Sequence, residues 1–298
     1  MTENRDVLDE TEAIMSSGAN LADIIDTERY PIHEPGTAAH DDLVARCRES
    51  LAEDGCCTLP GFLRPDAVER IAAEAERLAP QAHRHRTSHN PYFCDPRPEL
   101  GEQHPVNRFQ ERTNGFVCAD LIDPDSELHT LYGSDGLTQF LSAAFEIEPL
   151  YRYADPLACM PFNAMQPGDS FPWHFDTNEF TVTWMIQPPE RGGLFEYAPG
   201  IRDPHDEHYD DVAAVMAGDR SRVRTLDLGV GDMQLFMGRF TLHRVTEVEG
   251  SRPRNVAIPS WARQPDMVGQ PQRVKQLYGR VLPVHLQRAG VREDNLID

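Results

Sequence analysis

The feature that most constrains the fold of this chain is a series of short apolar runs between residues 150 and 261, separated by closely spaced turn residues. The turns are marked by Asp155-Pro156, by Gly168, by the Pro and Gly residues that follow Ile186, and by Gly250. Many short strands with turns at this spacing are typical of an antiparallel sandwich or barrel. The sequence therefore predicts a double-sheet β core in this part of the chain.

Helical patterns gather before and after these strands. The clearest helix begins at Pro65 and has an apolar face of Val68, Ile71, Ala75 and Leu78 at helical spacing. Further helices are predicted near residues 21–25, 43–51, 137–144, 212–216 and 271–278. We therefore predict the α+β class, with a double-stranded β-helix (jelly-roll, cupin-like) core and flanking N- and C-terminal helices.

The first 40 residues are acidic and poor in aromatic residues, which is typical of an arm or a frayed tail. Residues 41–298 contain no repeat period and no low-complexity tract, so they are predicted to form one domain. The acidic residues after Met1 do not resemble a signal peptide. The six cysteines contain no CxxC pair and are interpreted as reduced and mostly buried thiols, so a cytoplasmic location is expected.

The formal net charge of −21 restricts the class of partner. A surface this acidic repels phosphate backbones and anionic lipids, and no apolar run is long enough to cross a bilayer. Nucleic acid and membrane are therefore not expected as partners. A small-molecule substrate is expected, the acidic balance weakly favours a cationic one, and a homodimer is left open.

A His-x-Asp pair, His174 and Asp176, stands at the junction of a turn and an apolar strand-like run. Two other pairs have the same spacing, at residues 40–42 and 208–210, but one precedes a helix in a polar segment and the other lies among many carboxylates. Residues two apart in a strand point to the same side of a sheet. We therefore predict that His174 and Asp176 are ligands of one metal ion.

The candidate for a third ligand is His243, which lies in the strand-like run TLHRVTEV, after the strand MQLFMG and before a Gly turn. Two histidines and one carboxylate on one side of an ion leave open positions for substrates, as in the non-haem Fe(II) oxygenases. The hypothesis is a catalytic Fe(II) held by His174, Asp176 and His243.

An arginine eleven residues after His243, Arg254, is the candidate for the binding of a second cofactor. The turn at Gly250 would let its strand run back beside His243. A guanidinium group there can hold a carboxylate at two points, and the carboxylate expected is the far end of 2-oxoglutarate. Arg252 has the same strand parity and is the alternative.

Four segments together resemble the Fe(II)/2-oxoglutarate-dependent oxygenase superfamily: WHFD, GDMQLFMGR, LHRVTEVEG and Arg254. The N-terminal GCCTLPGFLRPDAVERIAAEAERL is similar to the opening of phytanoyl-CoA-dioxygenase-like members. HFDTNEFTVTWMIQPPERGGLFEYAPGIR resembles the BesD-like group of free amino acid halogenases and their hydroxylating relatives. The resemblance implies an enzyme that uses Fe(II), 2-oxoglutarate and O2 and releases succinate and CO2.

One residue bears on the choice between two reactions within this group. Halogenases that resemble the pattern have a small residue in place of the carboxylate, which leaves room for a halide. This chain has Asp176 at that position. The resemblance therefore implies hydroxylation of an unactivated C–H bond.

The resemblance also suggests the substrate class, a free amino acid and in particular a basic one. Carboxylates that could meet its ammonium groups are Asp155, Glu179 and Glu111, while Asn178 and Trp261 could line the pocket. The acidic loop 203–211 could close over it.

Two alternatives stay open. One is an oxygenase that acts on a natural-product scaffold or an acyl thioester, and the other is a jelly-roll module that binds metal without catalysis.

Overall fold

A computed structural model of the protein describes residues 20–287 and residue 296. Within these residues, short strands are the main regular elements of the chain after residue 150. The strands, in chain order, are β1 Cys56–Leu59, β2 His83–Arg84, β3 Thr87–His89, β4 Gln110–Arg112, β5 Gly115–Val117, β6 Tyr151–Arg152, β7 Phe162–Met165, β8 Phe171–His174, β9 Thr181–Gln187, β10 Arg191–Gly192, β11 Phe195–Ala198, β12 Arg224–Leu226, β13 Met233–Phe236, β14 Leu242–Val245, β15 Val248–Glu249, β16 Arg254–Ala257 and β17 Trp261–Ala262.

The helices of the described part gather near its beginning and its end, with a few between. They are α1 Leu21–Ile24, α2 Ala38–Asp54, α3 Pro65–Leu78, α4 Glu127–Gly133, α5 Asp135–Phe145, α6 Tyr209–Met216, α7 Pro271–Tyr278 and α8 Pro283–Gln287. Helix α3 has Pro65 in its first turn, and the predicted apolar positions of this helix are all buried. Among the described helices, none has the length and hydrophobicity needed to cross a bilayer.

Two antiparallel sheets form the core. The major sheet has seven strands in the order β1-β13-β9-β16-β7-β5-β2, and the minor sheet has four in the order β12-β11-β14-β8. Strands distant in sequence are neighbours in both sheets, as expected for a jelly roll. The predicted α+β class with a double-stranded β-helix core is confirmed.

The two sides of the major sheet have different environments because side chains alternate along a strand. In β9, Val182, Trp184 and Ile186 belong to the hydrophobic cluster that includes the apolar sides of the helices. Thr181 and Thr183 point the other way and line a cavity. Each large apolar side chain buried on the helical side contributes about 1.5–3 kcal/mol to stability, so this side anchors the sheet while the other side is available for chemistry.

The part of the chain that packs against this core begins nearer the N-terminus than the sequence pattern indicated. Of the predicted arm, residues 1–40, the first 19 lie outside the described residues. Ile24, Ile25, Tyr30 and Ile32 are all buried in the main hydrophobic cluster. The backbone amide of Arg64 donates to the carbonyl of Ile24, which ties this segment to the loop before α3. Residues 21–32 thus contribute to the core although their acidic neighbourhood suggested an arm.

Candidate functional site

The three predicted metal ligands lie together in the cavity between the sheets. His174 ends β8 and is directly paired with His243 in the neighbouring strand β14. Asp176 follows two residues later, and its Oδ1 lies 3.8 Å from Nε2 of His174 and 3.4 Å from Nε2 of His243. One ligand atom from each residue lies within 4.8 Å of the others. The arrangement therefore matches the size of a site for one ion.

Strand β8 ends before it reaches Asp176, which differs from the expectation that both ligands share a strand. The backbone amide of Phe175 donates to the carbonyl of Pro91, outside the sheet, and the amide of Asp176 donates to the carbonyl of Gly238. The two residues still point to one site because these backbone hydrogen bonds direct Asp176 toward the cavity.

Backbone carbonyls orient both imidazoles. Nδ1 of His174 lies 2.8 Å from the carbonyl oxygen of Pro172, and Nδ1 of His243 lies 2.9 Å from that of Thr241. A carbonyl only accepts hydrogen bonds, so Nδ1 carries the proton in both rings and each Nε2 presents a lone pair. Metal-binding histidines are commonly oriented in this way.

The electrostatic environment favours the protonation states that a metal ion needs. Burial, followed by the neighbouring His243, holds the pKa of His174 well below its usual value, so its ring is neutral. Burial alone would raise the pKa of Asp176, but the neighbouring His243 and the Thr181 hydroxyl bring that pKa below its usual value. Neutral imidazole and ionised carboxylate are the forms that bind a cation.

The carboxylate of Asp176 is positioned by two residues that the sequence analysis did not single out. The Thr181 hydroxyl donates to Oδ2 at 2.7 Å, which leaves Oδ1 directed at the histidines. Gly238 lies against the same carboxylate: a Cβ atom there would overlap Oδ2 and lie 2.8 Å from Cβ and Cγ of Asp176. The only sequence signal was the polar pair Thr181 and Thr183 on one side of a strand whose other side is apolar.

We expect Gly238→Ala to weaken metal binding, because the added methyl group must displace the Asp176 carboxylate. Outer-shell changes at metal sites typically cost about 10- to 100-fold in affinity. Calorimetric titration of the purified protein with Co(II) measures this without turnover. Gly133→Ala is the matched control, since Gly133 is exposed with nothing near its Cβ position. Equal Co(II) affinity in the two variants would contradict the role assigned to Gly238.

Arg254 lies in the cavity wall, as predicted, but its strand does not lie beside that of His243. Its strand β16 pairs with β7 and β9 in the major sheet, whereas His243 belongs to the minor sheet. The arginine therefore faces the histidine across the sandwich instead of lying beside it. The turn at Gly250 joins the two sheets and does not form a hairpin between these strands.

The guanidinium group of Arg254 has the features of an anion site. The residue is buried, its Nε has no hydrogen-bond partner, and burial lowers its pKa to about 10. A buried guanidinium without a partner is costly, so a ligand carboxylate would satisfy it. Arg252, the alternative, is exposed and donates to the carbonyl of Pro189, outside the cavity. The residues present therefore fit both Fe(II) and 2-oxoglutarate.

Of the five candidate substrate contacts, only Asn178 is among the residues that line the cavity. Asp155 is completely buried and accepts hydrogen bonds from three backbone amides, and His285 lies 3.0 Å from it. It holds the chain before α7 in place. These contacts within the protein occupy the carboxylate, so the structure gives it a different role from the one predicted.

The other three candidates also have local partners. Glu179 accepts two hydrogen bonds from Arg263, at 2.5 and 2.6 Å, and Glu111 is paired on the surface with Arg86. Trp261 is buried in the main hydrophobic cluster. The acidic loop 203–211 does not contribute to the cavity wall either. These predictions rested on residue type, which does not reveal an existing partner.

The comparisons with known proteins agree with this geometry. The model of the family HalD, described as Halogenase D, matches residues 39–276. No curated protein sequence matches the chain.

Solved structures share the fold at low sequence identity. The non-heme alpha ketoglutarate dependent carbocyclase SnoK from nogalamycin biosynthesis is 14% identical with a TM-score of 0.52, over 74% of this chain and 84% of its own. AviO1 from Streptomyces viridochromogenes Tue57 is 21% identical with a TM-score of 0.50, over 74% and 95%. The epimerase SnoN in complex with Fe3+, alpha ketoglutarate and nogalamycin RO is 17% identical with a TM-score of 0.50, over 74% and 84%.

Proposed function

This chain belongs to the Halogenase D family, and we propose that within it the protein is a hydroxylase that inserts oxygen into an unactivated C–H bond of a small substrate. Family membership and fold confirm the predicted enzyme class, the Fe(II)- and 2-oxoglutarate-dependent oxygenases. The reaction outcome, the substrate and the roles of individual residues are the proposal.

One observation carries the choice of hydroxylation over halogenation. The carboxylate of Asp176 lies beside both histidines and occupies the volume that a halide would need. Thr181 and Gly238 are arranged around this carboxylate, so the site is built for an acid at this position.

Each residue of the site has a task in this proposal. Fe(II), when bound with 2-oxoglutarate and O2, would supply the oxidant for the C–H bond, and 2-oxoglutarate would be converted to succinate and CO2. His174, Asp176 and His243 hold the metal on one side and leave the other side open. Arg254 binds the far carboxylate of 2-oxoglutarate and thereby fixes its position along the cavity. The apolar wall, which includes Phe236, excludes water from the reacting groups.

For the substrate we propose a free amino acid, as the resemblance to the BesD-like group suggests. A basic side chain is not part of this proposal. Among the described residues that line the cavity, Asp176 is the single carboxylate, and it is assigned to the metal. A second ammonium group would therefore lack an acidic partner in the wall.

Two measurements test the proposed function together. Anaerobic addition of Fe(II) and 2-oxoglutarate to the full-length protein should produce a weak visible charge-transfer band. Incubation with O2 and a panel of amino acids in chloride buffer, followed by mass spectrometry, should give a product heavier by one oxygen atom. A product heavier by chlorine would refute hydroxylation. Absence of the band at saturating concentrations would favour a metal-binding module, and turnover of acyl thioesters alone would favour the other alternative.

A further inference from the structure

Helix α7 forms one side of the cavity and introduces a second cation into its wall. Gln270, which precedes the helix, and Arg273, Val274, Leu277 and Tyr278 all line the cavity. Their spacing of three and four residues corresponds to one helical face. Lys275 is exposed to solvent instead. The sequence pattern predicted this helix but did not reveal its contribution to the site.

The guanidinium group of Arg273 is held in a defined orientation. Its Cζ lies 3.2 Å from the centroid of the Phe93 ring, and its Nη1 donates to Oε1 of Gln276 at 3.2 Å. Stacking on an aromatic ring uses the flat side of a guanidinium group, whereas carboxylates bind at its edge. The contact with Phe93 is therefore compatible with the binding of an anion.

Arg273 is also close to the metal ligands. The Phe93 ring on which it stacks lies 5.7 Å from the ring of His174. Arg273, His174 and Asp176 line the same cavity. A carboxylate at the edge of Arg273 would thus lie in the part of the cavity that contains the metal site.

The charges of the cavity wall indicate which ligands it accepts. Apart from the triad, the charged residues among its described lining are Arg254 and Arg273. One molecule of 2-oxoglutarate has one far carboxylate, for which Arg254 is sufficient. Most of the remaining wall is apolar or aromatic, including Tyr153, Ile258 and Leu277. A substrate with an anionic group and an apolar body therefore matches this wall better than a substrate with two positive charges.

We infer that Arg273 binds the carboxylate of the substrate, and that the substrate is a carboxylic acid, here a free amino acid, with an apolar side chain. This inference rests on the proposed function and adds the residue and the ligand chemistry that select the substrate. It assigns specificity to helix α7, which contributes no metal ligand.

Binding without turnover provides the test. The full-length protein, loaded anaerobically with Fe(II) and 2-oxoglutarate, is titrated with apolar L-amino acids, with their carboxamides, and with L-lysine and L-ornithine, and the shift of the charge-transfer band gives each Kd. We expect at least one apolar amino acid to bind about tenfold or more tightly than its own carboxamide, because a hydrogen-bonded charge is lost in the amide. The basic amino acids should bind more weakly than the apolar one.

Variants then assign the effect to Arg273. Arg273→Gln should weaken binding of the preferred acid by about tenfold or more and leave that of its carboxamide unchanged. Lys275→Gln, on the exposed side of the same helix, should change neither value. Equal binding of acid and carboxamide by the parent protein would overturn the inference, and so would tightest binding of lysine. The comparison of acid with carboxamide uses the parent protein alone, so a folding defect in Arg273→Gln does not affect it.

The proposed function and the inference about Arg273 predict different failures in this titration. If the band never forms, the proposed function is wrong. If the band forms but the acid and its carboxamide bind with equal Kd, only the inference about Arg273 is wrong. The same holds if Arg273→Gln weakens the binding of the acid and of the carboxamide equally.

Discussion

Replacing Asp176 by glycine should abolish hydroxylation. The variant loses one of the three proposed metal ligands and the only carboxylate in the described cavity wall, so both metal binding and reactivity should decrease. Loss of an outer-shell partner already lowers metal affinity or activity roughly 10- to 100-fold. Loss of a direct ligand should lower them by more than the upper end of that range. The space that opens beside Thr181 and Gly238 could then receive a chloride ion.

Mass spectrometry of the products in chloride and in chloride-free buffer measures both effects. A chlorinated product that depends on chloride would show that the carboxylate alone separates the two reactions in this site. Asp227→Gly is the control, because Asp227 is an exposed acid outside the cavity wall. Hydroxylation by Asp176→Gly at the parent rate would show that Asp176 is not a ligand.

Replacing Arg254 by glutamine should raise the KM for 2-oxoglutarate by roughly 30-fold or more. Truncating one partner of a buried, hydrogen-bonded charge pair costs about 2 kcal/mol or more, and Arg254 is buried with an unpartnered Nε. The Fe(II) requirement should change little, since the arginine is not a metal ligand. Titration of succinate release against 2-oxoglutarate and against Fe(II) separates the two requirements.

Arg252→Gln provides the matched control for this experiment. It removes a guanidinium group two residues away that lies on the surface. We expect its KM for 2-oxoglutarate to equal that of the parent. If Arg254→Gln raises the requirements for 2-oxoglutarate and Fe(II) equally, a general folding defect explains the result better than a lost carboxylate contact.

Much of the architecture could be predicted because local sequence patterns carry it. The helix with Pro65 in its first turn occupies 65–78, and the final predicted helix occupies 271–278, as the apolar spacing indicated. The metal ligands were also accessible, because a triad needs three specific residue types in a strand-rich context. The structure brings His174, Asp176 and His243 together as that pattern required.

The substrate contacts could not be predicted in the same way. Asp155 and Glu179 are the right residue type, but each is occupied by groups distant in sequence, His285 in one case and Arg263 in the other. Whether a carboxylate is available to a ligand depends on its partners. The family resemblance and the acidic net charge favoured a basic substrate, whereas the assembled wall favours an acid.

Residue types and spacing by themselves predicted the α+β class, a candidate metal-binding triad and two candidate arginines for the second cofactor, because these follow from local periodicity and from the ligand preferences of iron. Tertiary structure decided that Arg254 faces the triad across two sheets and that Gly238 makes room for Asp176. It also decided that helix α7 brings Arg273 into the cavity. These features depend on contacts between segments far apart in the chain, and such contacts exist only once the two sheets have packed.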